Sequence, residues 1–450
     1  MCISNEGEKN ISVKREEPRH ADSERNQVSG KSGCRLKVLV LDEEIPYPPN
    51  AGKRIRTWNL LHRLACRHSI SLLCYGRPSD PAATVVQNAG ITLHLVEPQA
   101  DLTRWRLHLC LFLNLFSPYP FSVAKHFSSR FQRELQALLE GESWDLIQCE
   151  WTPYVRFVSE PGRVPLLVAT HNVESQIWAR RARHTQNPFA KVFFKTQEWK
   201  MRWFEKRALL RASATTAVTA PDVETLRGWG IGAITLVPNG ADLEPSSPVP
   251  DVERENEILI LASLDWYPNV DALEYFIKNI FPIVRTRRPE SILRIVGRKP
   301  PESLKKWLTG MPGVDFVGEV ENARWHLDRA TVVIVPLRIG GGSRIKILEA
   351  LAAGKAVVCT SIGAEGLEVV SGEHLIIADL PGEFALRVEE LLASKVARRK
   401  LGNRGRNLVI DRYGWDGIAR RLESVWQQMS RNPTAAESIS SKQPEVQVAP

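Results

Sequence analysis

Short apolar runs rich in β-branched residues, separated by longer amphipathic stretches, give this chain its first outline. Leu36-Lys37-Val38-Leu39-Val40-Leu41 opens the series. A nearly continuous apolar run of that length has no solvent face and fits a strand covered on both sides. Similar runs recur at 70–75, 91–96, 146–149, 166–169, 215–218 and 234–237. A second series starts at Ile258-Leu259-Ile260-Leu261 and continues at 293–296, 314–317, 331–335 and 356–359. Stretches of helical period separate several of them, as at 54–65, and a last helix is expected over 415–428. Strand and helix in alternation predict parallel sheets covered by helices on both faces. The expected fold is therefore α/β, with two doubly wound domains.

Pro245, Pro248 and Pro250 punctuate a polar, acidic stretch between the two series and mark a seam. The predicted organisation is a disordered tail at 1–34, a first domain at 35–240 and a linker at 241–255. A second domain follows at 256–412, then a helix at 413–431 packing back on the first domain, and a tail at 432–450. With 450 residues the chain exceeds a single core. The first tail is polar throughout and does not read as a secretory signal. No apolar run reaches the ~18–20 residues of a membrane span, so the expected location is cytoplasmic. The seven cysteines are scattered singly, with no C-x-x-C pair, which favours neither a zinc ribbon nor a disulfide framework. A net charge of +9 suits an anionic ligand, an anionic membrane surface or nucleic acid.

In open α/β sheets ligands bind beyond the carboxyl ends of the strands. The first strand feeds a proline-rich turn ending in Ala51-Gly52-Lys53-Arg54 at a helix start. There Gly52 would let a phosphate or sugar lie against the backbone; a plain turn with solvated cations is the competing reading. The strand at 166–169 delivers Thr170-His171-Asn172-Val173-Glu174, where His171 either donates to a sugar hydroxyl or caps the next helix. In the second series, Val296-Gly297-Arg298 and Phe316-Val317-Gly318 end successive strands. The last of these devices, Val335 to Gly354, runs from a strand through Gly340-Gly341-Gly342 into a helix with Ser343 as its N-cap. Free first-turn N–H groups, the helix dipole, Arg344 and Lys346 together suit an anion. Glu349, further along, could accept from a ribose.

The order Pro238-Asn239-Gly240-Ala241-Asp242, Asn269-Val270-Asp271-Ala272, Val296-Gly297, Gly318, Gly340 to Gly354 and Gly363-Ala364-Glu365-Gly366-Leu367 resembles the group 1 (family 4) glycosyltransferases. The resemblance runs from Lys37 to about Arg431. It implies the GT-B fold, two Rossmann-like domains facing across a cleft, and transfer of a sugar from a nucleotide-sugar donor to a glycan or lipid-linked acceptor in polysaccharide biosynthesis. Carried over, Glu349 grips the donor ribose, while Gly341, Gly342 and Ser343 with Arg344 and Lys346 hold the diphosphate. Gly297, Arg298, Val317 and Gly318 line the base. Ala51, Gly52 and Arg54 belong to the acceptor and phosphate loop, and His171 stands near the transferred sugar. The implied catalytic residues are His171, Arg344 and Lys346. Retention of anomeric configuration is implied, with no metal and no cofactor beyond the substrate. One departure is that Gly341 stands where the family often has a glutamate contacting the donor sugar.

A nucleotide-sugar epimerase or a phosphorylase on the same fold, or a basic nucleic-acid-binding protein, are the alternatives; no nucleic-acid-reading motif is present, so no nucleic acid is expected as partner. Two stretches bear on the acceptor. Residues 102–130 interleave Trp105, Phe112, Phe116, Tyr119 and Phe121 with cations, and 180–211 carry many cations around Val192, Trp199, Trp203 and Leu210. Both suit an anionic membrane surface at the inner face of the membrane. The second also reads as a core stripe with a solvated basic face.

Overall fold

The computed structural model describes residues 35–98, 104–158, 164–243, 254–320, 323–339 and 345–431. Among these, thirteen strands form two sheets, parallel throughout. The first contains β1 (Lys37–Leu41), β2 (Ser69–Tyr75), β3 (Ile91–Val96), β4 (Leu146–Cys149), β5 (Leu166–Thr170), β6 (Ala214–Ala217) and β7 (Ile234–Leu236), in spatial order β3-β2-β1-β4-β5-β6-β7. The second contains β8 (Glu257–Ser263), β9 (Ile292–Arg298), β10 (Val314–Gly318), β11 (Val332–Val335), β12 (Val357–Cys359) and β13 (Ile376–Ile377), in order β10-β9-β8-β11-β12-β13. This is the doubly wound, two-domain architecture that the alternation of elements predicts. The two-residue β13 is too short to give a sequence signal.

Alternation along each first strand explains the unbroken apolar runs. Val38 and Val40 enter the core on one face of the first sheet, and Leu39 and Leu41 enter the core on the other. In the second sheet Ile258 and Ile260 face one core and Leu259 the opposite one. Neither central strand has a wet face, so neither carries polar alternation.

The helix Trp415–Arg431 follows the second domain in sequence yet belongs to the core of the first. Its stripe of Trp415, Ile418, Ala419, Leu422, Val425, Trp426 and Met429 is buried against β1, β2 and the helix Gly52–Ala65. Trp426 Nε1 donates to Gln148 Oε1 of β4 at 2.6 Å, and His68 Nε2 lies 3.0 Å from Glu423. The returning chain runs beside the outgoing one, Ala241 N donating to Tyr413 O at 2.9 Å. Gly240 lets the two approach: a Cβ there would lie 2.7 Å from Tyr413 O. Across the domains, Arg180 grips Glu365 with two bonds of 2.6 Å.

Candidate active site

The carboxyl ends of both sheets face one cleft of about 470 Å³. From the first domain it is lined by Glu43 after β1, Trp151 after β4, His171, Asn172 and Glu174 after β5, and Asn239 after β7. From the second come Ser263 at the end of β8, Arg298 at the end of β9, the 335–337 segment after β11, and Lys346 on the helix Ile345–Ala352. Residues from 43–239 and from 260–346 thus supply one site.

The helix Gly52–Ala65 starts in this cleft. Its N-cap is Ala51, which has no side-chain oxygen to offer, and its first turn carries no acid. The first N–H groups therefore have no capping side chain and suit an anion. Gly52 keeps the space in front of them open; a Cβ there would meet only Ile345 of the second domain, at 3.8 Å. Beside the helix start, Lys53 Nζ lies 2.5 Å from Asp42 and 3.2 Å from Glu43, under the ring of Trp151. Burial works against the charge of Lys53, but Asp42 and Glu43 outweigh it and hold the ammonium above the usual lysine range. Burial also pushes the Asp42 carboxyl up to about 7 against the pull of Lys53.

His171 Nε2 lies 3.2 Å from Glu150, a carboxylate with 1 % of its surface exposed. Burial holds the imidazole below the ordinary histidine value, with the Glu150 hydrogen bond opposing it. At neutral pH the ring is therefore uncharged, with Glu150 fixing its orientation. Burial would raise Glu150 itself, but His171 and the Arg56 guanidinium keep it below the usual carboxylate range. Arg56, 2 % exposed, also donates to Pro238 O at 2.8 Å and Asn239 Oδ1 at 3.0 Å, holding the loop that brings Asn239 to the cleft. Behind the site, Glu205 accepts from the backbone N–H of Glu174 at 2.7 Å and of Ser175 at 3.0 Å, so a side chain of a neighbouring helix caps the helix Glu174–His184.

Burial, then the nearby charge of Glu174, push Glu205 up to about 8 from an ordinary 4.5. The folded chain holds a proton there that the unfolded chain releases above its lower value. That contribution is complete below about 4.5 and is lost as pH rises through about 8. Glu205→Gln should therefore gain on the parent as pH rises from 5 to 9, read from urea midpoints on the order of one pH unit apart. A difference between the two chains that does not change with pH would contradict this.

Ala51, Gly52, His171, Arg298 and Lys346 come together in the cleft. Arg298 is steadied by Ser263 Oγ at 3.2 Å and Asp265 at 3.4 Å. Arg54 is turned away, its guanidinium on Glu44, and Lys53 takes the place beside the helix start. Glu349 lies behind Lys346, which donates to it at 3.2 Å, and is outside the lining. Gly297 serves packing: a Cβ would lie 2.5 Å from Ala262 O on the neighbouring strand. Val317 packs on an inner core and Gly318, with φ +85°, ends β10; neither lines the cleft. Gly341, Gly342, Ser343 and Arg344 lie outside the described residues.

Comparison with known proteins identifies the architecture. Residues 51–240 match the family "Glycosyl transferase 4-like domain", and residues 255–394 match "Glycosyl transferases group 1". The chain is a group 1, family 4 glycosyltransferase. Its GT-B fold is shared by Anabaena Alr3699/HepE in complex with UDP and glucose, at a TM-score of 0.61 and 14% identity, covering 87% of this chain and 99% of that one. It is shared as well by sucrose-phosphate synthase from Thermosynechococcus elongatus, at 0.65 and 17%, covering 88% and 99%. A protein of the cps region of Klebsiella pneumoniae is 21% identical over 78% of this chain and 90% of its own length. A lipopolysaccharide 1,2-N-acetylglucosaminetransferase of Salmonella typhimurium is 30% identical over 21% of this chain and 25% of its own.

Three groups in or behind this glycosyltransferase's cleft carry no assigned role from sequence: Lys53, which reads there only as a cation of the turn, Glu150, and Arg56 with its partner Asn239, which reads there only as part of a family motif. Glu150 had a usable signal, since it follows β4 at the same edge of the sheet as His171 follows β5. Arg56 had none, because its partners are more than 180 residues away in sequence.

Proposed function

We propose that this glycosyltransferase binds a nucleoside diphosphate sugar in the cleft and transfers the sugar to a glycan or lipid-linked acceptor. Transfer proceeds with retention of anomeric configuration and without a metal or other cofactor. The observation that carries the reading is the convergence of Lys346 and Arg298 from the second domain with His171 and the uncapped helix start at Gly52 from the first. Departure of a nucleoside diphosphate leaves negative charge on its outer phosphate. Lys346 and a helix N-terminus are suitable stabilisers of that charge, pre-aimed and needing no reorganisation. His171, neutral and oriented by Glu150, suits a hydrogen bond to a sugar hydroxyl. Glu349, held by Lys346, is assigned the ribose, and the backbone of Gly341 to Ser343 with Arg344 the diphosphate.

Known proteins of this fold are described with UDP and with UDP-glucose, so a UDP-sugar is the first donor to test. The experiment is a thermal-shift panel of UDP-, GDP-, ADP- and TDP-sugars. One base is expected to raise the melting temperature in a concentration-dependent way, since a ligand bound only to the folded chain stabilises it by mass action. A flat response across the panel would contradict donor binding.

A further inference from the structure

Two helices of the first domain turn apolar side chains outward. On the helix Arg104–Asn114 and the turn after it, Phe112 is 58% exposed and Phe116 78%. On the helix Pro188–Leu210, Trp199 is 70% exposed and Trp203 46%, in line with exposed Val192 and Leu210. That stripe therefore does not face the core. The core face of the same helix is a different one, carrying Met201, Phe204, Ala208 and Leu209. The two helices are fastened together. Lys200 Nζ donates to Asn114 O at 2.7 Å and Leu115 O at 3.0 Å, and Gln197 donates to Asn114 Oδ1 at 2.9 Å. Lys200 lies one turn before Trp203, so the end of the helix Arg104–Asn114 is held against the helix that carries the tryptophans.

Charge says what covers it. At a helical period Lys195, Arg202 and Lys206 run along one edge of the Trp199–Trp203 stripe and Arg207 along the other. All four are exposed, and among the described residues none is in an ion pair. Arg207 stacks over Trp203 at 4.5 Å. Acids are few at the stripe itself: Glu205 is buried beneath the helix, Glu198 lies about 120° round the helix, beyond the Lys195–Arg202 edge, and Arg104–Asn114 contains none. An apolar stripe with tryptophans, bordered by unpaired cations, is the pattern of a helix lying in the headgroup boundary of an anionic bilayer. Among the described residues no helix is long and apolar enough to cross a membrane, and this pattern needs none.

We propose that this face docks the protein on an anionic lipid surface, with Phe112, Phe116, Trp199 and Trp203 entering the headgroup boundary and the bordering cations lying against lipid phosphates. Glu205, on the inner side of the docking helix, caps the helix that begins at Glu174 in the cleft. The docked surface is thereby tied to the His171 side of the site, which rests on the proposed function and would present that wall to a lipid-linked acceptor.

The test is co-sedimentation of the full chain with phosphatidylcholine vesicles with and without phosphatidylglycerol. The parent is expected to bind the anionic vesicles, less so as salt rises. Trp199→Ser with Trp203→Ser should lower the partition coefficient by at least about tenfold. Lys195→Glu with Lys206→Glu should lower it by about fivefold or more per cation. Both double variants keep the parent's melting temperature and its nucleotide affinity measured without vesicles, so failure here is separable from failure of donor binding. A parent that stays in the supernatant, or a tryptophan variant that binds like the parent, overturns the proposal. So does a parent that is dimeric by light scattering, with a monomeric tryptophan variant and no vesicle binding, which would make the face a protein interface.

Discussion

Lys346→Ala lowers the affinity for a nucleoside diphosphate by about ten- to a hundredfold, the cost of one charge-assisted hydrogen bond to phosphate, about 1.5–3 kcal/mol. The expected effect on folding is small. Lys346 and its partner Glu349 are each 31% exposed, and a half-wet pair of this kind contributes little to stability. Removing the ammonium also leaves the Glu349 carboxylate uncompensated beside the incoming phosphates, which adds to the loss. Lys346→Arg should recover part of the affinity. Calorimetry that gives the alanine variant the parent's affinity would remove Lys346 from the diphosphate site.

His171→Ala should retain nucleotide affinity and lose turnover by about 10²–10⁴-fold, the usual worth of a positioned hydrogen-bonding or proton-transferring group. Geometry separates the two effects: His171 lies on the first-domain wall, across the cleft from Lys346 and Arg298. Its pH behaviour gives a second readout. Burial depresses the histidine, so it remains neutral above a value lower than 6.5 and becomes protonated only as pH falls through that lower value. The acid limb of kcat/KM is therefore expected below 6.5 in the parent and should change shape in His171→Asn. Parent-like turnover in the alanine variant would take His171 out of the mechanism.

Much of the fold was legible because β1 and β8 are buried on both faces, and a strand without a wet side leaves an unbroken apolar run in the sequence. Ala51, Gly52, His171, Arg298 and Lys346 were legible for a related reason. Each sits within a few residues of a strand's carboxyl end or the start of the helix after it, and topology alone sends those positions to one edge. What escaped was set by contacts across the chain. Arg54 and Lys53 are neighbours with the same charge, and only Glu44 on one side and Asp42 on the other decide which one lines the cleft. Gly297 reads as a binding glycine, yet it is required by the carbonyl of Ala262 on the adjacent strand. The stripe on Pro188–Leu210 shows the same limit in reverse: period 3.6 locates Trp199 and Trp203 on one face, but it takes their exposure to show that the face is turned outward.

The donor's diphosphate is expected between Lys346 and the helix start at Gly52. Crystallographic difference density for the chain grown with UDP decides whether it does. Density is expected in the cleft, with the diphosphate within hydrogen-bond reach of Lys346 Nζ and the ribose on the Glu349 side. Density confined to the basic cavity lined by Arg63, Arg412, Arg420 and Arg421, away from this cleft, would contradict it.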